Sequence, residues 1–151
     1  MNEKKNLTTK ETFALAVQNH QKNNFEVAEN LYKKILKTNP NHASSHNNLG
    51  LILHAYKDLQ QARDCYEKAI AIEPNYVNAY NNLGTILGEL DHINEAKKNF
   101  EKSLNLDPNK KKTCEGYGNI LLKLNQHDKA LAYIKKGTGF IIFTQKDCKI
   151  I

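Results

Sequence analysis

Arginine is nearly absent from this chain. Arg63 stands alone, and the rest of the 22 lysines and arginines are lysine. The net charge of +6 invites a nucleic-acid partner, but base readout and bidentate phosphate contacts lean on guanidinium groups. The lysines are scattered, some in pairs such as Lys33-Lys34, Lys97-Lys98 and Lys135-Lys136, with one run of three at Lys110-Lys111-Lys112. Solvated helix faces account for that pattern, so nucleic acid is not the expected partner. Cysteine is scarce: Cys65, Cys114 and Cys148 are odd in number and wrongly spaced for a disulfide framework or a zinc site. Reduced cytosolic thiols are the expected state. No apolar run approaches the ~18 residues that span a membrane. The segment before Phe13 lacks the apolar core of a secretory signal, so a cytoplasmic location is expected.

Catalytic and cofactor patterns are missing as well. Gly137-Thr138-Gly139-Phe140 lacks the rest of a dinucleotide fingerprint and follows a helical pattern, not a strand. His42 and His46 stand four residues apart, but no third ligand is near in sequence. The expectation is a chain without metal or cofactor, and not an enzyme.

Proline is also sparse, and its placement is informative. Pro40, Pro74 and Pro108 are 34 residues apart (74−40, 108−74), and each opens a Pro-Asn pair. Three further ladders share that period: Ala28, Ala62, Ala96 and Ala130; Tyr32, Tyr66, Phe100 and Ile134; Leu15, Leu49, Leu83 and Tyr117. Members of the last ladder are followed by Ala16, Gly50, Gly84 and Gly118. A fixed period of this length marks a repeat architecture.

Each unit reads as two helices. His46, Leu49, Gly50 and Leu53 form one helical stripe, and Leu59, Ala62, Tyr66, Ala69 and Ile70 a second. Each proline ends a helix, and Asn41, Asn75 and Asn109 are the expected N-caps of the next. Thr8 and Glu11 form a capping-box pattern ahead of the first helix. Mid-helix Gly50 and Gly84 cost about 1 kcal/mol in propensity, which points to close helix approach. One unit leaves an apolar face open, and the next covers it.

The offsets resemble those of the tetratricopeptide repeat (TPR). In the second unit they fall on His46, Leu49, Gly50, Leu53, Ala62, Tyr66 and Pro74, and in the third on Tyr80, Leu83, Gly84, Leu87, Ala96, Phe100 and Pro108. The first unit departs at Thr12, Ala16 and Asn19; the fourth has Cys114, Tyr117, Gly118, Leu121 and Ala130 but no closing proline. The resemblance implies an all-α, right-handed α-solenoid of about four units, the last degenerate. The expected organisation is a leader at 1–8, an array at 9–137 with units near 9–42, 43–76, 77–110 and 111–137, and an apolar tail at 138–151. In the tail, Gly137 and Gly139 are expected to break the helix. Residues 138–151 are expected to be non-helical, with at least two of Phe140, Ile141, Ile142 and Phe143 exposed. The tail is also a candidate self-association segment.

TPR proteins bind peptides on the concave face of the stack. By helical offset, the residues expected there are Phe13 and Val17, then Asn47, Asn48 and Leu51, then Asn78, Asn81, Asn82 and Thr85. The paired asparagines look like the asparagine ladder of O-linked N-acetylglucosamine transferases, whose amides grip an extended backbone. Ala14 and Gly116 interrupt it. The clamp that some TPR domains use on chaperone tails is not matched. One register offers Phe13, Val17, Asn48, Asn78 and Asn82, where only Asn48 fits; the next offers Asn47, Leu51, Asn82, Lys112 and Gly116, where two fit. The resemblance therefore implies a non-catalytic module for a peptide or protein partner. The alternative is the substrate-presenting portion of a larger glycosyltransferase-, sulfotransferase- or dioxygenase-type enzyme.

Overall fold

A computed structural model describes residues 7–139. Phe140, Ile141, Ile142 and Phe143, of which at least two are expected to be exposed, lie outside the described residues, as does Cys148. Among those described there are eight helices and no strand: α1 (Thr9–Gln21), α2 (Phe25–Thr38), α3 (Ala43–Ala55), α4 (Leu59–Ile72), α5 (Val77–Glu89), α6 (Ile93–Leu106), α7 (Lys111–Lys123) and α8 (His127–Thr138). They fall into two compact units that divide between Pro74 and Asn75.

Within each unit the helices pack as successive antiparallel hairpins, α1 on α2 and α3 on α4 in the first, α5 on α6 and α7 on α8 in the second. The second helix of one hairpin packs on the first helix of the next, α2 on α3 and α6 on α7. The ladders form the cores. Ala28, Ala62, Ala96 and Ala130 are fully buried, as are Tyr32 and Tyr66, and Phe100 and Ile134 nearly so. The glycines of the ladder, Gly50, Gly84 and Gly118, make room for the bulky residue of their own hairpin. A Cβ on Gly50 would lie 2.7 Å from the Tyr66 ring, one on Gly84 3.0 Å from the Phe100 ring, and one on Gly118 2.5 Å from Ile134 Cγ1.

The turns inside the hairpins obey the same period. Asn23, Lys57, Asp91 and Asn125 have φ of 60°, 65°, 60° and 58°. At each, the chain leaves the first helix with a left-handed residue, and the next amide reaches back five residues: Asn24 N–H to Asn19 O, Asp58 to Leu53, His92 to Leu87 and Gln126 to Leu121, all at 2.8–2.9 Å. This 6→1 bond satisfies a carbonyl that the helix end would otherwise orphan.

Two sequence expectations need correction. Asn41, Asn75 and Asn109 are not the N-caps; His42, Tyr76 and Lys110 are. Pro40-Asn41 and Pro108-Asn109 instead occupy the middle of tight turns closed by His42 N–H to Asn39 O and Lys110 N–H to Asp107 O, both 3.3 Å. Proline's fixed φ suits the second residue of such a turn. His42 caps α3 through Nδ1, which accepts the Ser45 N–H at 3.1 Å. The second correction concerns Gly137 and Thr138, which do not leave the helix. Gly137 is a buried residue of α8, Thr138 is its last residue, and only Gly139, at φ 86°, ends it. The capping box at Thr8 forms: Thr8 Oγ1 accepts the Glu11 N–H at 3.2 Å, and Glu11 accepts the Thr8 N–H at 2.9 Å. Those bonds hold the Glu11 carboxyl below its usual range.

Candidate functional site

In the first unit, α1 and α3 carry the residues of interest. Asn48 is half-buried, and its amide donates to the Tyr32 hydroxyl of α2 at 3.2 Å. Phe13 tilts against Tyr32 at 5.9 Å and against His42 at 4.9 Å between ring centroids. Val17 and Leu51 are half-buried beside them in sequence register. His20 meets Phe25 edge-on at 5.6 Å, and burial holds its pKa below the ordinary value.

Asn47 departs from its expected open position. It is only 4% exposed, and its amide donates to Asn48 Oδ1 at 3.1 Å. The second unit repeats the arrangement. Asn81 is 8% exposed and donates to Asn82 Oδ1 at 3.2 Å, while Asn82 stays half-buried. Asn81 Oδ1 accepts from Thr113 Oγ1 of α7 at 3.1 Å. The first asparagine of each pair is thus a packing residue that orients the second. Successive helical residues point about 100° apart, so one position can face the core while its neighbour faces outward.

Asn78 is exposed at the start of α5, and Thr85 is half-buried, its hydroxyl bonded to Asn81 O at 3.1 Å. Thr85 borders a cleft of about 210 Å³ between α5 and α7. The cleft's floor is the Phe100 ring, and its sides are Gly84, Gly88, Gly116 and Ile120. Asn119, Glu89 and Lys123 stand at its rim. A Cβ on Gly116 would come within 2.7 Å of the Phe100 ring, so this glycine permits the close packing of α7 over the floor. Lys123 Nζ donates to Gly88 O at 3.1 Å and ties the two helices at the cleft's end. Gly88, Ile120 and Lys123 were not singled out by sequence. The signal for them was Gly116, which holds the ladder position of Asn48 and Asn82, opposite a phenylalanine instead of a tyrosine.

The remaining chemistry is quiet. Burial pushes the Cys65 thiol up to about 11 and raises that of Cys114, so neither is poised as a nucleophile. Burial, followed by the Glu101 carboxylate, raises the Tyr117 phenol, whose hydroxyl donates to Glu101 at 2.8 Å. Among the described residues, no three His, Cys, Asp or Glu side chains come together as a metal site. No described helix is long and apolar enough to cross a membrane.

Family models of the tetratricopeptide repeat match residues 43–109 and 112–139. The chain belongs to the tetratricopeptide repeat family. Solved structures agree on the fold. MamA is similar with a TM-score of 0.78 at 21% identity, covering 87% of this chain and 77% of that one. PilF of Pseudomonas aeruginosa has a TM-score of 0.78 at 25% identity, covering 87% of this chain and 60% of that one. The first TPR of Spaghetti (RPAP3), bound to the HSP90 peptide SRMEEVD, has a TM-score of 0.74 at 21% identity, covering 78% of this chain and 93% of that one. No curated protein matches the sequence significantly. The fold class is therefore the all-α solenoid of helical TPR repeats.

Proposed function

We propose that this TPR chain is a non-catalytic interaction module that binds extended segments of a partner protein on the faces of its first helices. One face belongs to the first unit, with Phe13, Val17, Asn48 and Leu51. The other belongs to the second unit, with Asn78, Asn82, Thr85 and the α5–α7 cleft. The observation that carries the reading is that cleft, apolar at Phe100 and Ile120 and bordered by Thr85, Asn119, Glu89 and Lys123. Concave apolar ground with a few convergent polar groups is the common form of a binding site. Asn48 suits backbone recognition because an amide carries two N–H donors and two oxygen lone pairs, and its bonds to Tyr32 and from Asn47 use one of each; Asn82 holds the same register position one period later. Asn47 and Asn81 serve as their supports. The solved RPAP3 complex supports peptide binding as an activity of this fold.

The test is a random peptide display library screened against the immobilised chain. Enriched peptides are expected to lose about 1–3 kcal/mol of binding on Asn48→Ala, Asn82→Ala or Asn119→Ala, since each change removes ordinary neutral hydrogen bonds. Peptides that bind all three variants as they bind the parent would place the site elsewhere.

A further inference from the structure

The repeat register allows the outer edge of the first hairpin to be compared with an internal joint of the same unit. In α3–α4, Leu49, Gln61, Cys65 and Lys68 wall one side of a cleft of about 250 Å³, and Lys33 and Leu36 of α2 wall the other. One period earlier, those four positions are Leu15, Val27, Leu31 and Lys34. Among the described residues no helix stands over them as α2 stands over α3. Leu15 is 37% exposed, against 7% for Leu49 and 5% for Leu83 on the same ladder. Val27 is 49% exposed, and Leu7, beside Thr12 and Lys34, is 42% exposed.

The chemistry of this edge is opposite to that of a solvated end. Terminal repeats of a solenoid ordinarily carry a polar outer face. Val27 stands where the other hairpins have Gln61, Glu95 and Lys129, and Leu31 where they have Cys65, Asn99 and Tyr133. The open edge is more apolar than the covered joint. Three of the four exposed large apolar side chains among the described residues, Leu7, Leu15 and Val27, belong to it. Leu15, Val27 and Leu31 hold the positions whose counterparts Leu49, Gln61 and Cys65 line one cleft, and exposed apolar side chains gathered on one face in this way mark an interaction site.

The internal joints also say what fits there. At both, the covering helix presents an aliphatic residue at one position, Leu36 in α2 and Leu104 in α6. We propose that the open α1–α2 edge docks an amphipathic helix of a partner protein, presenting an aliphatic side chain where Leu36 stands over α3, and so continues the stack by one helix. The last of the described helices is not that partner. In α8 the corresponding residue is Thr138, which is exposed and bonded to Ile134 O at 2.9 Å.

The test uses the full chain, isotopically labelled, and a synthetic peptide with the sequence of residues 25–38, the covering helix of the internal joint. Saturable shifts of the Leu15, Val27 and Leu31 amides are expected. Affinity should be modest, because an isolated helix of this length is marginal in water. Val27→Glu in the protein, and Leu36→Ser in the peptide, should each weaken binding roughly tenfold or more, as an interfacial charge or hydroxyl meets apolar surface. Val27 is half exposed, so its substitution leaves the fold intact, and an unchanged circular dichroism melt verifies this; Leu15→Lys is the second variant. Three results overturn the proposal: no shifts at millimolar peptide, shifts that persist in both protein variants, or a parent mass that rises with concentration and falls back in Val27→Glu. The last would assign the edge to a second copy.

Discussion

Thr113 of α7 donates its hydroxyl proton to the side-chain carbonyl of Asn81 on α5, at 3.1 Å inside the second unit. Ser103 Oγ lies 3.0 Å from Thr113 Oγ1 and 3.2 Å from Val77 O. Thr113 has one proton, and Asn81 takes it. Ser103 then either donates to Thr113 or keeps its proton on the Val77 carbonyl. These residues knit α5, α6 and α7 through a polar contact where only apolar packing was expected.

Thr113→Val keeps the shape and removes the hydroxyl. It leaves Asn81 Oδ1 and Ser103 Oγ without that partner in a buried site. A loss of about 1–3 kcal/mol is expected, from a denaturant titration followed by circular dichroism. Thr113→Ser should retain most of the stability. If Thr113→Val and Thr113→Ser unfold at the same midpoint as the parent, the network is not a stabilising feature.

Gly137 offers a second test, on packing. A Cβ there would lie 2.9 Å from Lys111 O and 2.9 Å from Glu115 N, both backbone atoms of α7. At Gly84 the obstacle is the Phe100 ring at 3.0 Å, a side chain with some room to adjust. Gly137→Ala is therefore expected to cost more than Gly84→Ala, in the range of about 1–3 kcal/mol for an overpacked contact. The reverse order of midpoints would mean that α7 and α8 can separate more readily than their geometry suggests.

Gly137 also shows where sequence reading falls short. A glycine close to Gly139 reads as a helix breaker on propensity, and only the approach of α7 reveals its packing role. The period of 34, the helix pairs and the buried ladders were all legible, because apolar spacing and proline placement are local signals. The asparagine pairs were half legible. Helical offset put Asn47 and Asn48 near one face, but which of the two the neighbouring hairpin covers depends on tertiary packing. The α5–α7 cleft was less legible still, since it arises from side chains that Gly84, Gly88 and Gly116 lack.

The left-handed turns were hidden by composition. Asn and Asp tolerate that conformation, and they occupy three of the four sites. Lys57, at φ 65°, is the exception. Its side chain gains nothing from the geometry, and an L residue other than Asn or Asp is strained there. Lys57→Gly is expected to raise stability by about 0.5–1 kcal/mol. The same change at Asn23 should give less. A melting temperature that falls in Lys57→Gly would show that lysine's aliphatic stem contributes more than the backbone strain costs.

The last prediction concerns pH and His46. Its Nε2 lies 2.9 Å from Pro40 O, so the neutral ring carries its proton on Nε2 and donates it there. Nδ1 is buried and has no hydrogen-bond partner among the described residues. A second proton would have to sit at Nδ1, away from water and without an acceptor. Burial is the main cause that lowers the pKa of His46; the Pro40 bond opposes it, and Lys68 and His42 add smaller repulsions. Burial lowers His20 as well. In the unfolded chain both rings titrate near 6.5. Below that value the unfolded state binds protons that the folded state refuses, so stability is present above it and is lost as pH falls. Denaturant midpoints at about pH 7.5 and about pH 5.5 span this window while staying above the usual carboxylate range. The midpoint should drop on acidification. His46→Tyr, which installs the residue that Tyr80 supplies one period later, should make the drop smaller. An equal drop in parent and variant would show that His46 does not carry the acid sensitivity of the first unit.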